Sequence, residues 1–155
     1  MASAEVYNRS IGMFWRKAQD RNGQTALHIA ACFGNCETIC YLVKKGAGDL
    51  DPVHIGGGRS QNKLTPLHDA TTSGHVEACR ILVSFGFHVD CHTPRGRTPL
   101  IYAANGNHFE VVRYLVFEGG ANINEKNENG ASALYIASQE SHIETMESFM
   151  SLGLI

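Results

Sequence analysis

The sequence lacks an apolar run of about 20 residues, the length that a membrane-spanning helix requires. Its first residues, MASAEVYNRSIGMFWRKAQD, contain no basic segment followed by an unbroken apolar core, so they do not resemble a secretory signal. Proline is too scarce, at 4 residues in 155, for a proline-rich linker. Apolar residues make up 43% of the chain, which is enough to build a core. These features predict one soluble, intracellular domain, cytoplasmic or nuclear, with no membrane partner.

An excess of positive charge is also missing, because the sequence has 13 lysine and arginine residues and 15 acidic residues. Proteins that bind nucleic acid concentrate basic residues on one face, so we expect no nucleic-acid partner. The five cysteines are odd in number and unevenly spread. Since a chain of this length folds without disulfides, we expect free thiols in a reducing compartment.

What the sequence does contain is an internal repeat in four copies. The copies read, without internal gaps, TALHIAACFGNCETICYLVKKG, TPLHDATTSGHVEACRILVSFG, TPLIYAANGNHFEVVRYLVFEG and SALYIASQESHIETMESFMSLG. Their leading residues, 40, 33 and 34 positions apart, are Thr25, Thr65, Thr98 and Ser132. Apolar residues recur at spacings of three and four in each copy, which predicts two short amphipathic helices. Helices this short are unstable alone, so neighbouring copies must stack.

A glycine separates the two predicted helices in the first two copies. Gly34 and Gly74 can take the left-handed conformation that ends a helix. Asn107 and Ser141 stand at this position in the last two copies, and Lys63 replaces a glycine in the turn before the second copy. We therefore expect the backbone to differ locally at these three residues.

The T-P-L-H-x-A pattern and the basic period of 33 residues resemble the ankyrin repeat family. The resemblance implies an all-α solenoid of helix–turn–helix units with β-turn fingers between them. A capping helix is expected over residues 1–19 and an ankyrin repeat domain over residues 20–155. The repeats should cover about 20–52, 60–92, 93–126 and 127–155, with an extended finger over 49–61.

Most of the histidines have a place in the repeat. The resemblance implies that five of them donate or accept hydrogen bonds with the backbone of neighbouring turns, namely His28, His68, His75, His108 and His142. A zinc site is an alternative for His28, Cys32, Cys36 and Cys40, which recur every four residues. The predicted break at Gly34 puts these four residues on two helices, which favours free thiols.

The insert DLDPVHIGGGRSQ, residues 49–61, suggests a phosphate-binding or oxyanion loop by its glycines. It lacks the G-x-x-x-x-G-K-[ST] order of the former, and the chain has no G-x-S-x-G nucleophile motif to use the latter. We expect no catalytic residue, no cofactor and no metal. The insert either contacts a partner, through His54, Ile55 and Arg59, or is a tolerated long loop.

Positions that the repeat does not prescribe are free to specify a partner. In ankyrin repeat proteins, the resemblance implies, these positions line a concave groove of fingertips and first-helix faces. The candidate partner-binding residues are Arg21, Gln24, Phe33, His54, Arg59, Leu64, Asp69, Thr72, Ser73, Arg95, Arg97, Tyr102, Asn105, Glu128, Gln139 and Glu140. Their charges run from basic at the start to acidic at the end, which either orients a ligand or keeps the domain soluble.

The expected function is that of a noncatalytic interaction module that presents a preformed groove to a protein or peptide, as adaptor, scaffold or substrate receptor. One alternative is a reader of histone tails, which Asp69, Glu128 and Glu140 favour and which Arg95 and Arg97 oppose. A metal-binding protein or an enzyme is a further alternative. The chain ends in apolar residues with little polar cover, for which further repeats, a dimer contact or a partner are the expected cover.

Overall fold

The computed structural model describes residues 18, 20–21, 24–46, 64–151 and 153. Within this part the chain forms four consecutive pairs of α-helices. The pairs are α1 (Ala26–Cys32) with α2 (Cys36–Gly46), α3 (Pro66–Thr72) with α4 (Val76–Ser84), α5 (Pro99–Asn105) with α6 (Phe109–Phe117), and α7 (Ala133–Gln139) with α8 (Ile143–Ser151). The predicted all-α repeat fold is confirmed. The predicted capping helix over 1–19, apart from Ala18, and the extended finger over 49–61 lie outside the described residues.

Each first helix begins after a hydroxyl residue in extended conformation. The Thr65 side chain accepts a hydrogen bond from the backbone N–H of His68, which satisfies a donor that has no partner inside the helix. The corresponding hydroxyl residues of the third and fourth pairs do the same. Pro66 and Pro99 occupy the first turn, where proline needs no hydrogen bond and already has the helical φ.

The break between the two helices of a pair has the same backbone in all four copies. Gly34 and Gly74 have φ of +65° and +78°, and Asn107 and Ser141 have φ of +55° and +58°. The expected local difference at Asn107 and Ser141 is therefore wrong. Asparagine tolerates the left-handed region, and helix packing on both sides of the break imposes that region on serine as well. Lys63 lies outside the described residues.

The helices stack in two layers, with first helices on first helices and second helices on second helices. The first helices are rich in buried alanine, including Ala31, Ala70, Ala103, Ala104 and Ala137, and they contact one another more extensively than the second helices do. Small side chains permit this closer approach.

The first recurring histidine joins a first helix to the finger of the next repeat. The backbone N–H of Thr65 lies 3.1 Å from Nδ1 of His68 and can only donate, so Nδ1 accepts and the ring proton lies on Nε2. That Nε2 donates to the carbonyl of Arg97 at 3.2 Å. His28 makes the same pair of bonds, with Thr25 and with the carbonyl of Leu64 at 2.9 Å.

The second recurring histidine points the other way, to the preceding repeat. His75 donates to the carbonyl of Cys32 at 3.0 Å, and His108 donates to that of Thr72 at 2.8 Å. These carbonyls end helices α1 and α3 and have no partner within their own helix. His142 binds the carbonyl of Ala104 at 2.9 Å in the fourth repeat. The predicted backbone bonding of all five repeat histidines is confirmed.

Candidate partner-binding site

The first helices share one face on which most residues are exposed or partly buried. We call it the inner face, and it consists of the fourth, seventh and eighth residues after each leading threonine or serine. These residues are Ile29, Cys32 and Phe33; Asp69, Thr72 and Ser73; Tyr102, Asn105 and Gly106; and Ile136, Gln139 and Glu140. Spacings of three and four place the three members of each set on one side of their helix. A sulfur–oxygen contact of 3.5 Å between Cys32 and Ser73 links the first two sets.

The α1 end of the inner face is apolar and open. Phe33 is 77% exposed and Ile29 is 42% exposed. The two residues are four positions apart and lie next to each other on the helix surface. Large apolar side chains exposed side by side are typical of an interaction site. Ile29 is absent from the sequence-predicted set, although its offset is that of Asp69 and Tyr102, so the repeat alignment contained the signal.

Asp69, in the middle of the inner face, is buried instead of exposed, with 7% of its surface accessible. Burial raises the pKa of its carboxyl group to about 7, because the charged form is poorly solvated there. Its Oδ2 atom has no hydrogen-bond partner within the described part of the chain. Thr72, one turn further, is exposed, and its hydroxyl donates to the carbonyl of His68 at 2.7 Å.

Tyr102 stands beside the finger of its own repeat. Its ring meets that of His68 edge-on, with 5.4 Å between the centroids. The Arg97 guanidinium lies over the ring of Tyr102, 5.9 Å from the ring centroid. The finger and the helix thus form one continuous surface at this repeat.

The charges at the fingertips do not stand apart as the sequence suggests. Nε of Arg95 lies 3.8 Å from Oε1 of Glu128, and both side chains are exposed. The pair joins neighbouring fingers and offsets the opposite charges at the middle and the end of the predicted gradient. Glu140 and Gln139 remain exposed at the end of α7.

The sequence-predicted residues thus differ in their surroundings. The exposed members are Arg21, Phe33, Thr72, Arg95, Asn105, Glu128, Gln139 and Glu140. The partly buried members are Gln24, Leu64, Ser73, Arg97 and Tyr102, and Asp69 is buried. His54 and Arg59 lie outside the described residues.

The thiols of the proposed zinc alternative are free and separate. His28 uses both ring nitrogens for backbone groups, and Cys36 donates to the carbonyl of Gly34 at 3.5 Å. Burial raises the pKa of the Cys79 thiol to about 12 and also raises the pKa of Cys36. In the described ranges no group of three or more histidine, cysteine, aspartate or glutamate side chains is placed to hold a metal ion.

Membrane insertion can be judged from helix length. Over the residues that the structure describes, every helix is too short and too polar to reach across a bilayer.

Comparison with known proteins supports the repeat assignment. A family model for ankyrin repeats in three copies matches residues 50–127 and 85–154, and a single ankyrin repeat model matches residues 22–54. The chain is 34% identical over 122 residues to the B-cell lymphoma 3 protein homolog of Mus musculus, a match that covers 78% of this chain and 26% of that protein.

Two longer relatives match over a smaller share of their length. Rabankyrin-5 of Homo sapiens is 30% identical over 112 residues, which is 69% of this chain and 10% of that protein. The transient receptor potential cation channel subfamily A member 1 homolog of Caenorhabditis elegans is 31% identical over 132 residues, which is 85% of this chain and 10% of that protein. The chain therefore spans about a quarter or less of the length of these relatives. From the repeat, the helix pairs and these matches it follows that the chain belongs to the ankyrin repeat family.

Proposed function

We propose that the protein is a noncatalytic interaction module whose inner face and fingertips bind a peptide or a folded protein, as an adaptor, scaffold or substrate receptor. Ankyrin repeats in general mediate protein–protein interaction. The observation that carries the proposal for this chain is the exposed apolar pair Ile29 and Phe33.

The rigidity of the stack supports this function. The inner-face residues sit on helices whose ends are capped and whose neighbours are bonded by histidines across every junction. A surface that is ordered before binding loses little conformational entropy when a partner docks. Preorganisation of this kind favours recognition of a defined segment.

The charge pattern gives less support to a reader of basic histone tails. Glu128, on which that alternative depends, is paired with Arg95, so the fingertips offer no strongly acidic strip. Arg97 lies on the same surface as Tyr102. We therefore propose a groove of mixed character, with an apolar anchor, one buried carboxyl group and flanking cations.

The proposal includes an intracellular location, cytoplasmic or nuclear. All five cysteines are free, which fits a reducing compartment. It includes neither a nucleic-acid partner nor a cofactor, since the chain has no basic excess and its repeat histidines bond to backbone. For the apolar end of the stack, where Met150 is 55% exposed, a further repeat, a dimer contact or a partner is the proposed cover.

Affinity purification with mass spectrometry tests the binding surface. The wild type is compared with Phe33→Ala combined with Arg97→Glu, and with Tyr41→Ala as the matched control. Tyr41 lies on the second helix α2 and is 61% exposed, so it tests a comparable loss of aromatic surface elsewhere. We expect a specific partner to be lost by the double variant and kept by Tyr41→Ala. A partner kept equally by all three proteins would refute the assignment of the inner face.

A further inference from the structure

Asp69 is out of place in an otherwise satisfied interior. Among the buried side-chain oxygen and nitrogen atoms of the described residues, its Oδ2 alone has no hydrogen-bond partner. Buried polar atoms in folded proteins are almost always paired, because an unpaired one has lost its water and gained nothing in return. Such an exception calls for a partner that arrives from outside the domain.

The position of Asp69 shows from which side a partner arrives. Thr72 and Ser73 follow it at spacings of three and four and are exposed and half-buried, so this side of α3 belongs to the inner face. Ile29 and Tyr102 occupy the same offset in the repeats before and after. Asp69 therefore occupies the position between Ile29 and Tyr102 along the inner face.

The cations of the neighbouring finger do not satisfy it. Arg95 contacts Glu128, and Arg97 lies over the ring of Tyr102. His68, the preceding residue, gives its Nε2 proton to the carbonyl of Arg97. These groups have other contacts, and the Asp69 carboxyl group is already largely desolvated in the free protein.

We propose that Asp69 is the specificity-determining residue of the inner face, where it binds a lysine or arginine side chain of a protein segment whose neighbouring apolar residue packs on Ile29 and Phe33. This inference rests on the proposed function. A charged donor suits the carboxyl group better than a neutral one, because a charge-assisted hydrogen bond is stronger and keeps the carboxylate ionised. The low local dielectric strengthens the bond further.

The repeat also sets the spacing of the two contacts. Packed helices lie about 8–10 Å apart, so the apolar site on α1 and the carboxyl site on α3 are separated by about that distance. An extended segment of the polyproline type rises about 3.1 Å per residue and returns to the same face after three residues. The segment should therefore contain an apolar residue and a basic residue three positions apart.

Selection from a phage-displayed library of random dodecapeptides, with the full 155-residue chain as bait, tests this inference. The selected peptides are then synthesised with the basic residue intact or replaced by norleucine, and their dissociation constants are measured by fluorescence polarisation. The proteins compared are the wild type, Asp69→Asn, Phe33→Ala and, as a carboxylate control, Glu110→Gln, which changes an exposed residue of the second helix α6. Norleucine keeps the aliphatic chain and removes only the charged donor, so this arm does not alter the protein.

We expect the norleucine replacement to weaken binding at least tenfold for the wild type and Glu110→Gln, and less than twofold for Asp69→Asn. An equal loss for the wild type and Asp69→Asn, or selected peptides without a shared basic residue, overturns the role of Asp69. Some selected peptides could bind Phe33→Ala more weakly than the wild type but bind Asp69→Asn as tightly as the wild type. That result would refute this inference and leave the proposed function standing. A failure to select any peptide refutes this inference alone, since the proposed function includes folded partners. Peptides that bind the wild type and Phe33→Ala equally refute both.

Discussion

The junction between the second and third repeats and the junction between the third and fourth repeats solve the same problem differently. At the former, His68 is fully buried and donates to the carbonyl of Arg97 at 3.2 Å. At the latter, Ile101 takes the place of the histidine and is also buried. There the fingers are joined at their exposed tips, where the N–H of Glu128 donates to the carbonyl of Arg95 at 3.0 Å.

Side-chain pairs reinforce the exposed connection. His92 lies 3.0 Å from Glu125, and the backbone N–H of Asn122 donates to Asp90 at 3.0 Å. Exposed pairs contribute little individually because water competes for them, whereas a buried hydrogen bond cannot be replaced by water. One buried histidine at one junction therefore has the same role as several weak exposed bonds at the other, namely to connect neighbouring repeats.

The largest expected effect is a pH dependence that the His68 junction has and the Ile101 junction lacks. Burial lowers the pKa of His68 to about 4, so stability is lost as pH falls from 6.5 through 4, because only the unfolded chain takes up the proton. Burial raises the pKa of Asp69 to about 7, so its contribution is lost as pH rises from 3.8 through 7. The two opposite slopes overlap and largely cancel between pH 4 and 6.5.

The variant Asp69→Asn should uncover the His68 slope. We expect its free energy of unfolding to fall by about 3 kcal/mol between pH 6.5 and pH 4, relative to a much flatter wild type. Urea unfolding at pH 4, 5 and 6.5 measures both proteins. Parallel pH profiles for the two proteins would show that these two groups do not titrate as their burial requires.

The next effect concerns the glycine under a histidine ring. A Cβ atom at Gly74 would lie 2.5 Å from Nδ1 of His108, and the backbone φ is +78°. We expect Gly74→Ala to cost about 2–3 kcal/mol, from strain and from displacement of the ring that binds Thr72. Gly130→Ala is the matched control, since its φ is +76° and nothing lies within 4 Å of the added atom.

Gly130→Ala should cost about 1 kcal/mol, from backbone strain alone. Chemical denaturation of both variants separates the two contributions. Equal losses would mean that the ring at Gly74 yields without penalty. The junction between the third and fourth repeats suggests how the ring would move. There Asn107 has a Cβ atom at the position of Gly74, and His142 binds the carbonyl of Ala104 through Nδ1 instead of Nε2.

A smaller effect follows from removing the buried bond itself. His68→Leu keeps most of the volume and leaves the N–H of Thr65 without its acceptor, while the carbonyl of Arg97 keeps its bond from Thr93. We expect a loss of about 1–2 kcal/mol at pH 7. Ile101→Leu, measured by the same thermal unfolding at pH 7, should cost less, since no polar group depends on it. A larger loss for Ile101→Leu would reverse the comparison between the junctions.

The smallest effect is at the fingertips of the third junction. Glu128→Gln removes an ion pair of 3.8 Å between exposed side chains but leaves the backbone bond to Arg95 intact. We expect a change of less than about 0.5 kcal/mol, which vanishes at 1 M salt. Unfolding in low and high salt measures it. A loss larger than that of His68→Leu would show that the exposed tips stabilise the junction more than the buried histidine does.

The periodic features of the fold could be predicted from the sequence because each has a local cause. Thr65 caps, Pro66 starts a helix and Gly74 ends it through interactions within a few residues. The histidine bonds could be predicted because they recur with the period. The left-handed backbone of Ser141 could not, because stacking imposes it against the preference of the residue.

The candidate site was predictable in outline and not in its chemistry. The offsets within the repeat identify Phe33 and Thr72 as positions that the repeat pattern does not prescribe, and both residues are exposed. Asp69 is buried although Ile29, at the same offset, is exposed, so the repeat pattern alone does not predict its burial. The pairing of Arg95 with Glu128 depends on how two fingers meet in space.

The central claim is that partners bind the inner face of the first helices. Its most direct test is NMR chemical-shift mapping of the isotope-labelled chain with a peptide selected from the random library. We predict the largest shifts at Ile29, Phe33, Asp69 and Tyr102, with Tyr41 and Phe117 on the second helices unchanged. Shifts confined to the second helices would contradict the claim.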